Sequence, residues 1–511
     1  MSSTQVLVVG AGPTGLWLAL LLRRLDVSVR IVDAASEPGT TSRALVVQAR
    51  TLEFYQQLGL ADDVLRQGLR LGAVNFWYRG EHAARMELGA VGKGLSPFPF
   101  GVIFPQDEHE RLLIDKLGAL GVTVERNTKL TAIEETASGI SAQLQSTDGT
   151  STTAQATYLA GCDGARSTLR KALNADFPGG TYQHLFYVAD VQARGAQIDQ
   201  ELHVLLDDAG FLGLFPLAAA GHARLIGTVL AAAAGEGKVL GWEHVDRRPI
   251  ERIGLVVERV NWFSTYHVHH RVADHFRRGR AFLLGDAAHV HSPVGGQGMN
   301  TGLGDAMNLA WKLAAVLSSR ANPDLLDTYE PERIEFAKRL VSTTDRAFQL
   351  ASSEGRFAAL VRTNVLPRVA PRFLKTAWGR RLAFRAVSQI GIEYRHSAWS
   401  GDSIGKVRAG DRLPWVAPTQ TTAVDNFGPL GSLEWQVHVY GAATAALRQR
   451  CDERHLALHV FPYDEPAQGC GLEPDAAYLV RPDGYLGAVF AAESAADQLA
   501  SYLDAHGIRA R

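Results

Sequence analysis

Gly10-Ala11-Gly12-Pro13-Thr14-Gly15 follows the valine-rich run Val6–Val9 and precedes the apolar stretch Leu16–Arg24. Strand, glycine turn and helix in this order let a backbone wrap a pyrophosphate. Gly10 permits the tight turn, Gly12 lets the chain approach an anion, and Gly15 lets the helix pack closely on the strand. Unpaired N–H groups in the helix's first turn face the same anion. Asp33 ends the next strand, Val27–Val32, eighteen residues beyond Gly15, where a carboxylate accepts hydrogen bonds from a ribose. The alternative is a glycine-rich turn with no ligand, and the strand–helix context favours a dinucleotide.

Two further motifs narrow the choice between a flavin and a nicotinamide. Gly161-Cys162-Asp163-Gly164-Ala165-Arg166-Ser167 closes a strand, although its Asp-Gly taken alone is an ordinary turn. Leu284-Gly285-Asp286-Ala287-Ala288-His289 follows a buried run and is succeeded by Pro293, Gly295-Gly296-Gln297-Gly298-Met299-Asn300 and a long helix. Asp286 is placed to accept a hydrogen bond from a flavin's ribityl hydroxyl. The positive end of the helix at Asn300 can face the flavin's pyrimidine edge, where negative charge gathers on reduction. The glycines keep that face clear for oxygen and a substrate. His289 and His291 form an HxH pair, but no third ligand accompanies them and no metal is expected.

Several elements must hold these groups in place. A β-α-β unit opens the chain, and helical periodicity is read from Ala44 to Leu58, with Leu45, Leu52, Tyr55 and Leu58 on one face and Gly59 as the stop. Short alternating strands and glycine turns, from about Leu71 to Pro99 and again from Pro178 to His275, predict an inserted antiparallel sheet. Helix and strand alternate between Gln106 and Asp163. A long helix is expected from about Asn300 to Ser318, with Leu303, Met307, Trp311, Ala314 and Leu317 on its apolar side. A basic helical connector follows Arg333. From Gly405 a third region shows strands Gln436–Tyr440, Leu456–Phe461 and Tyr478–Val480, a turn at Asp483-Gly484, and a closing helix ending near Gly507.

Composition bounds the rest. A chain of 511 residues suggests two to four domains. With 52 Lys and Arg against 53 Asp and Glu, there is no electrostatic case for nucleic acid or an anionic membrane. Cys162, Cys451 and Cys470 form neither a disulfide framework nor a CxxC pair, which predicts a reducing, cytoplasmic setting and a tail without thiol exchange. Val6–Leu22 is largely apolar, yet no basic segment precedes it and Arg23 and Arg24 follow it, unlike a secretory signal. No apolar run approaches the ~20 residues that span a bilayer.

With both flavin motifs present, the chain resembles the class A flavoprotein monooxygenases, the family of p-hydroxybenzoate hydroxylase and phenol hydroxylase, from Gly10 to Lys312. The resemblance implies an α/β fold: a Rossmann-like FAD-binding domain, an inserted antiparallel β-sheet substrate domain and a C-terminal thioredoxin-like domain. The expected boundaries are 1–177 for the FAD-binding domain, interrupted by a substrate-domain segment at about 71–99, then 178–275 for the substrate domain, 276–404 for the FAD-binding continuation with connecting helices, and 405–511 for the tail. Within the family frame, Gly10, Gly12, Gly15 and Asp33 hold the ADP half of a noncovalent FAD. Asp163 serves both FAD and the nicotinamide coenzyme. Gly285 and Asp286 hold the riboflavin half, with Gly298, Met299 and Asn300 in the following turn. Arg43 in Ser42-Arg43-Ala44 matches the family's flavin-contacting arginine, and Gln106 in Pro105-Gln106-Asp107 its glutamine. Arg43 and Pro293 are the implied catalytic residues; Ser292-Pro293 stands where the family often has two adjacent prolines.

The implied reaction uses NADPH or NADH to reduce FAD, and inserts one atom of O2 into a phenolic or polycyclic aromatic ring through a flavin C4a-hydroperoxide shielded from water. The substrate is expected between the inserted sheet and the flavin, with Gly210–Pro216 as a wall and Tyr187, His203 or His222 as a base. The tail resembles that of the phenol hydroxylase branch through Ala409-Gly410-Asp411-Arg412 and Arg481-Pro482-Asp483-Gly484, in a monomer or homodimer. A flavin halogenase lacks its WxWxIP signature here. Phe177–His184 nearly imitates the FxGxxxH of the two-Rossmann Baeyer-Villiger oxygenases, with its histidine one position late. Baeyer-Villiger insertion on the class A scaffold and an FAD-binding protein without oxygenase turnover stand as alternatives.

Overall fold

The computed structural model describes residues 3–39, 44–207, 210–229, 240–292, 295–352, 373, 376–419 and 425–510. Its first sheet runs in the order Arg277–Arg278, Ala281–Leu283, Ser151–Gly161, Ser3–Val9, Val29–Val32, Val124–Glu125, with Thr128–Glu135 and Ile140–Ser146 attached through Ser151–Gly161. Ala281–Leu283, Ser151–Gly161, Ser3–Val9 and Val29–Val32 are mutually parallel neighbours. Val6, Leu7 and Val8 are fully buried, as strands covered on both faces must be. Asp33, Gly10, Asp163 and Gly285 therefore emerge from the carboxyl ends of four adjacent strands, the edge where such sheets bind ligands.

Close approach locks these ends together. A Cβ added at Gly15 would lie 1.9 Å from the carbonyl oxygen of Gly10, and one at Gly302 would lie 2.2 Å from Thr14 Oγ1 and 3.2 Å from Gly285 Cα. The helices Pro13–Arg24 and Gly298–Leu317 thus seat directly on each other and on the Gly285 turn. The second helix is buried almost all round: Asp305, Asn308 and Lys312 are as inaccessible as Leu303 and Met307, so its one-sided apolar reading is too narrow.

The helix read from Ala44 begins instead at Ala49. Val46–Val47 pairs with Val102–Ile103 as a strand, and Gln48 holds an extended ψ of 162°. Leu45 sits in an apolar cluster with Val46, Leu71 and Ile103; β-branched side chains with a partner strand prevail over the helical spacing.

The second sheet runs His289–Val290, Val256–Val272, Gly179–Arg194, His222–Thr228, Gly210–Pro216, Leu202–Asp207, Ala73–Tyr78, Glu81–Glu87. It is antiparallel except where Leu202–Asp207 pairs in parallel with Ala73–Tyr78. His289–Val290, three residues on from Asp286, is its edge strand, so the Gly285-Asp286 turn runs straight into this sheet. One face carries Tyr187, Ala189, Leu205, Leu212, Leu214 and Leu225 against Ile250 and Ile253. The other carries Phe186, Phe211, Phe215, Tyr266 and Val268.

In the tail, strands lie in the order Ala457–Phe461, Gln436–Tyr440, Ala477–Val480, Leu486–Phe490. The first pair is parallel and the others antiparallel, with helices Ala445–Glu453, Glu465–Gly469 and Ala495–His506, a thioredoxin-like connectivity. Leu486–Phe490 is a strand not read from the sequence. Cys451 and Cys470 are unbridged. Among the described residues no helix is long and apolar enough to cross a membrane.

His109 and His438 are fully buried, and burial lowers each to about 3. The unfolded chain takes up these protons near pH 6.5. Between pH 6.5 and 3 the unfolded state therefore binds more protons, and stability falls as pH drops through that window. Each histidine is expected to cost about 2 kcal/mol by pH 5. Melting temperatures from pH 7 to 5 check this: His438→Gln should flatten the decline, and an unchanged slope would remove His438 as a cause.

Candidate active site

The Gly10–Gly15 turn is fixed from behind. Gly10, at φ +102°, donates its N–H to Val32 O at 2.8 Å, and Asp33 accepts the N–H groups of Ala11 at 2.5 Å and Ala35 at 2.7 Å. In front of the turn a Cβ at Gly12 would meet nothing within 4 Å. With Pro13 as the first helical residue, the following N–H groups have no intrahelical acceptor and face that opening. Arg126, which follows the strand Val124–Glu125, places Nη1 3.8 Å from Asp33 Oδ1, and its Nη2 is buried without a hydrogen-bond partner among the described residues. It was missed because only position in the sheet, and no motif, brings it to the edge that carries Gly10 and Asp33.

Gln106 opens the helix Gln106–Ala119, donates its side-chain amide to Glu110 Oε1 at 2.9 Å, and bonds through its backbone N–H to Ala44 O. Burial raises the pKa of Glu110, which also accepts the N–H of Gly39 at 3.2 Å. Gln106 and Glu110 thus hold Ala44 and Gly39 respectively. Arg43 lies outside the described residues, as does Pro293.

At the second motif, Asp163 accepts from Ser167 Oγ at 2.5 Å and from the N–H groups of Thr168 and Leu169, capping the helix Thr168–Ala172. Arg170 then donates to Ala165 O at 2.8 Å and Ala287 O at 2.9 Å, tying this turn to the third motif. There Asp286 is exposed between buried Gly285 and Ala287. Gly285, at φ +57°, donates its N–H to Asp305 Oδ2 at 3.0 Å.

Asp305 is fully buried and also takes His289 Nε2 at 2.7 Å and Arg333 Nε at 2.7 Å. His289 is therefore committed to Asp305. His291 turns the other way: Nδ1–H donates to Ser292 O, burial lowers its pKa to about 4, and the buried Nε2 has no partner among the described residues.

Asn300 uses its whole side chain on protein. Its amide donates to Val46 O and Gly296 O, and its oxygen accepts Gln48 N and Thr51 Oγ1, all at 2.8 Å. It clamps the glycine loop to Val46–Gln48 and leaves the N–H groups of Gly298 and Met299, in the helix's first turn, to face the loop.

The arrangement fits FAD: an open glycine cradle, a guanidinium beside it with one nitrogen left without a partner among the described residues, an exposed carboxylate on a hydrogen-bonded turn and a helix N-terminus. A family model described as FAD binding domain matches residues 3–344. The chain is 34% identical to 6-methylpretetramide 4-monooxygenase of Streptomyces rimosus, covering 95% of this chain and 90% of that one. The chain belongs to the class A flavoprotein monooxygenases. It is also 30% identical to pentachlorophenol 4-monooxygenase of Sphingobium chlorophenolicum, over 81% of this chain and 76% of that protein. The solved structure of OxyS anhydrotetracycline hydroxylase from Streptomyces rimosus superposes with a TM-score of 0.78 at 27% identity, covering all of both chains. In this FAD-dependent aromatic hydroxylase the three motifs stand at one sheet edge, and Arg126, Arg170, Asp305 and Arg333, which no motif announced, pack beside or behind them.

Proposed function

We propose that this hydroxylase acts on a large phenolic, polycyclic aromatic substrate laid against the second sheet, with NADPH or NADH as reductant. The carrying observation is the sheet face opposite Tyr187. Across it, strand register aligns Gly213, Ile226, Val188 and Ser264 in one row. Phe186 and Tyr266 are paired in the next, joined by Phe211 in one apolar cluster. Beyond the opposite side, Phe215 lies beside the Arg224–Asp190 ion pair of 2.6 Å. Phe215 also packs against the apolar cluster of Leu45, Val46, Leu71 and Ile103, and the Val46 side chain stands against Gly296. Wall and glycine loop are therefore joined through this cluster. Relatives named for 6-methylpretetramide, pentachlorophenol and anhydrotetracycline support the substrate class.

FAD, once bound, supplies hydride uptake from the nicotinamide and activation of O2. The chain's own part is to bind and shield. Gly10, Gly12, Gly15 and Asp33 take the ADP half with Arg126. Asp286 takes a ribityl hydroxyl, and the first turn at Gly298, Met299 and Asn300 favours negative charge on the flavin's pyrimidine edge. Gln106, Asp163 and Gly285 shape that binding, and Arg43 and Pro293 are kept as its catalytic residues. The aromatic wall excludes water from the reacting face. Tyr187 and His203 belong to the opposite face, where His203 bonds Asp199 and Trp77, which disfavours either as the base.

The test is NAD(P)H oxidation in the presence of a panel of phenols and polycyclic aromatics. Stimulation by ring systems of several fused rings is expected, whereas stimulation confined to single-ring phenols would reject the size class. Phe211→Ala should raise KM about tenfold to a hundredfold, the loss expected from one buried aromatic contact, with FAD affinity unchanged. A wild-type KM would place Phe211 away from the substrate.

A further inference from the structure

We infer that Asp305, Arg333 and Arg481 are positioning residues of the flavin loop, and that through them the thioredoxin-like tail sets the geometry of the cofactor site. The inference rests on Gly285–Asp286 being the flavin loop. Asp305 holds that loop by the N–H of Gly285 and by His289, and is held in turn by Arg333. Arg333 extends its guanidinium to Thr301 O at 3.1 Å, in the first turn of the helix that follows the loop, and to Tyr394 Oη at 2.8 Å. The neighbouring Glu332 accepts both terminal nitrogens of Arg481, at 2.9 and 3.0 Å, together with Lys312 Nζ, Asn308 Nδ2 and Ser397 Oγ. Arg481 stands at the tail's Asp483-Gly484 turn, and also donates to Asp483. Asp483 accepts Trp311 Nε1, and its carbonyl accepts Arg50, which pairs with Glu53; Arg412 from the other tail motif binds Glu53 as well.

The side chains of Asp305, Glu332, Arg333, Arg481 and Asp483 are each no more than 2% exposed. Removing so many charges from water costs several kcal/mol per ion, repaid only by near-complete hydrogen bonding. A planar guanidinium satisfied on several sides admits one orientation, so the position of Arg481 is transmitted through Glu332 and its neighbour Arg333 to the carboxylate under Gly285. An apolar interface would join tail to body without addressing the loop; this one ends on a loop N–H and on a first-turn carbonyl of the flavin-facing helix.

The experiment uses the full chain with Arg481→Lys and Asp305→Asn, titrating apoprotein with FAD, recording the visible spectrum of the bound flavin and measuring apoprotein melting. Arg481→Lys should weaken FAD binding three- to tenfold and shift the flavin bands, and Asp305→Asn should weaken it more than tenfold. A lower melting temperature with wild-type FAD affinity and spectrum in folded Arg481→Lys would make the contact purely structural and overturn the inference. If that variant does not fold, Tyr394→Phe, which removes only one bond to Arg333, is read by the same criteria. Asp286→Ala separates the two levels. If it leaves FAD affinity intact, the loop assignment fails; if it weakens binding while the tail variant does not, the coupling alone fails.

Discussion

Asp286→Ala is expected to weaken FAD binding by about 1.5 to 3 kcal/mol, or roughly tenfold to a hundredfold, the range for a hydrogen bond to a charged group. The expectation follows from placement. Asp286 is exposed while Gly285 and Ala287 beside it are buried, and the turn beneath it is held by Asp305 and Arg170. The side chain is presented by a backbone that cannot retreat, so its loss should remove a contact without moving the loop. Equilibrium dialysis of FAD, with melting of the apoprotein as control, checks this. Wild-type affinity would remove Asp286 from the site.

Glu332→Ala is expected to cost about 3 to 5 kcal/mol of stability, the penalty for stranding buried charge. Lys312 and Arg481 both bond Glu332 in the interior, and neither has water to turn to. Burial alone would raise the carboxyl's pKa, but Arg481 and Lys312 overcome it and hold the group below the ordinary carboxylate range. Its folded pKa is depressed, so its stabilisation is present above the unfolded carboxylate value and is lost as pH falls through the folded one. Denaturant unfolding at neutral pH checks the magnitude; a change below about 1 kcal/mol, typical of exposed pairs, would show that the network is not stabilised through Glu332.

The flavin motifs were legible because their glycines report local necessities. Gly10 and Gly285 sit in left-handed backbone, and Gly15 and Gly302 touch other chains of atoms directly. Three tail strands were readable from apolar runs. Leu486–Phe490 was not, because it follows the Asp483-Gly484 turn so closely that only its pairing with Ala477–Val480 defines it. Leu45 carried helical spacing, but pairing of the adjoining Val46–Val47 with a strand more than fifty residues away decided the local form. Asn300 was legible as a loop residue and not as a clamp, since three of its four partners, Val46, Gln48 and Thr51, lie far earlier in the chain. Asp305 and Lys312 did leave a signal: charged residues on a helix otherwise rich in alanine and leucine. Their partners Arg333 and Glu332 lie 28 and 20 positions away, and periodicity cannot pair charges across that distance.

The central claim, that this chain inserts oxygen from O2 into an aromatic ring, is tested most directly with isotopically labelled O2. Purified FAD-loaded protein, NADPH or NADH and a polycyclic phenol that stimulates coenzyme oxidation are incubated under the labelled gas, and the product is weighed by mass spectrometry. One labelled oxygen atom in the product, retained on the ring, is the predicted result. Coenzyme consumption that yields only labelled hydrogen peroxide for every aromatic tried, with the rings unchanged, would contradict it.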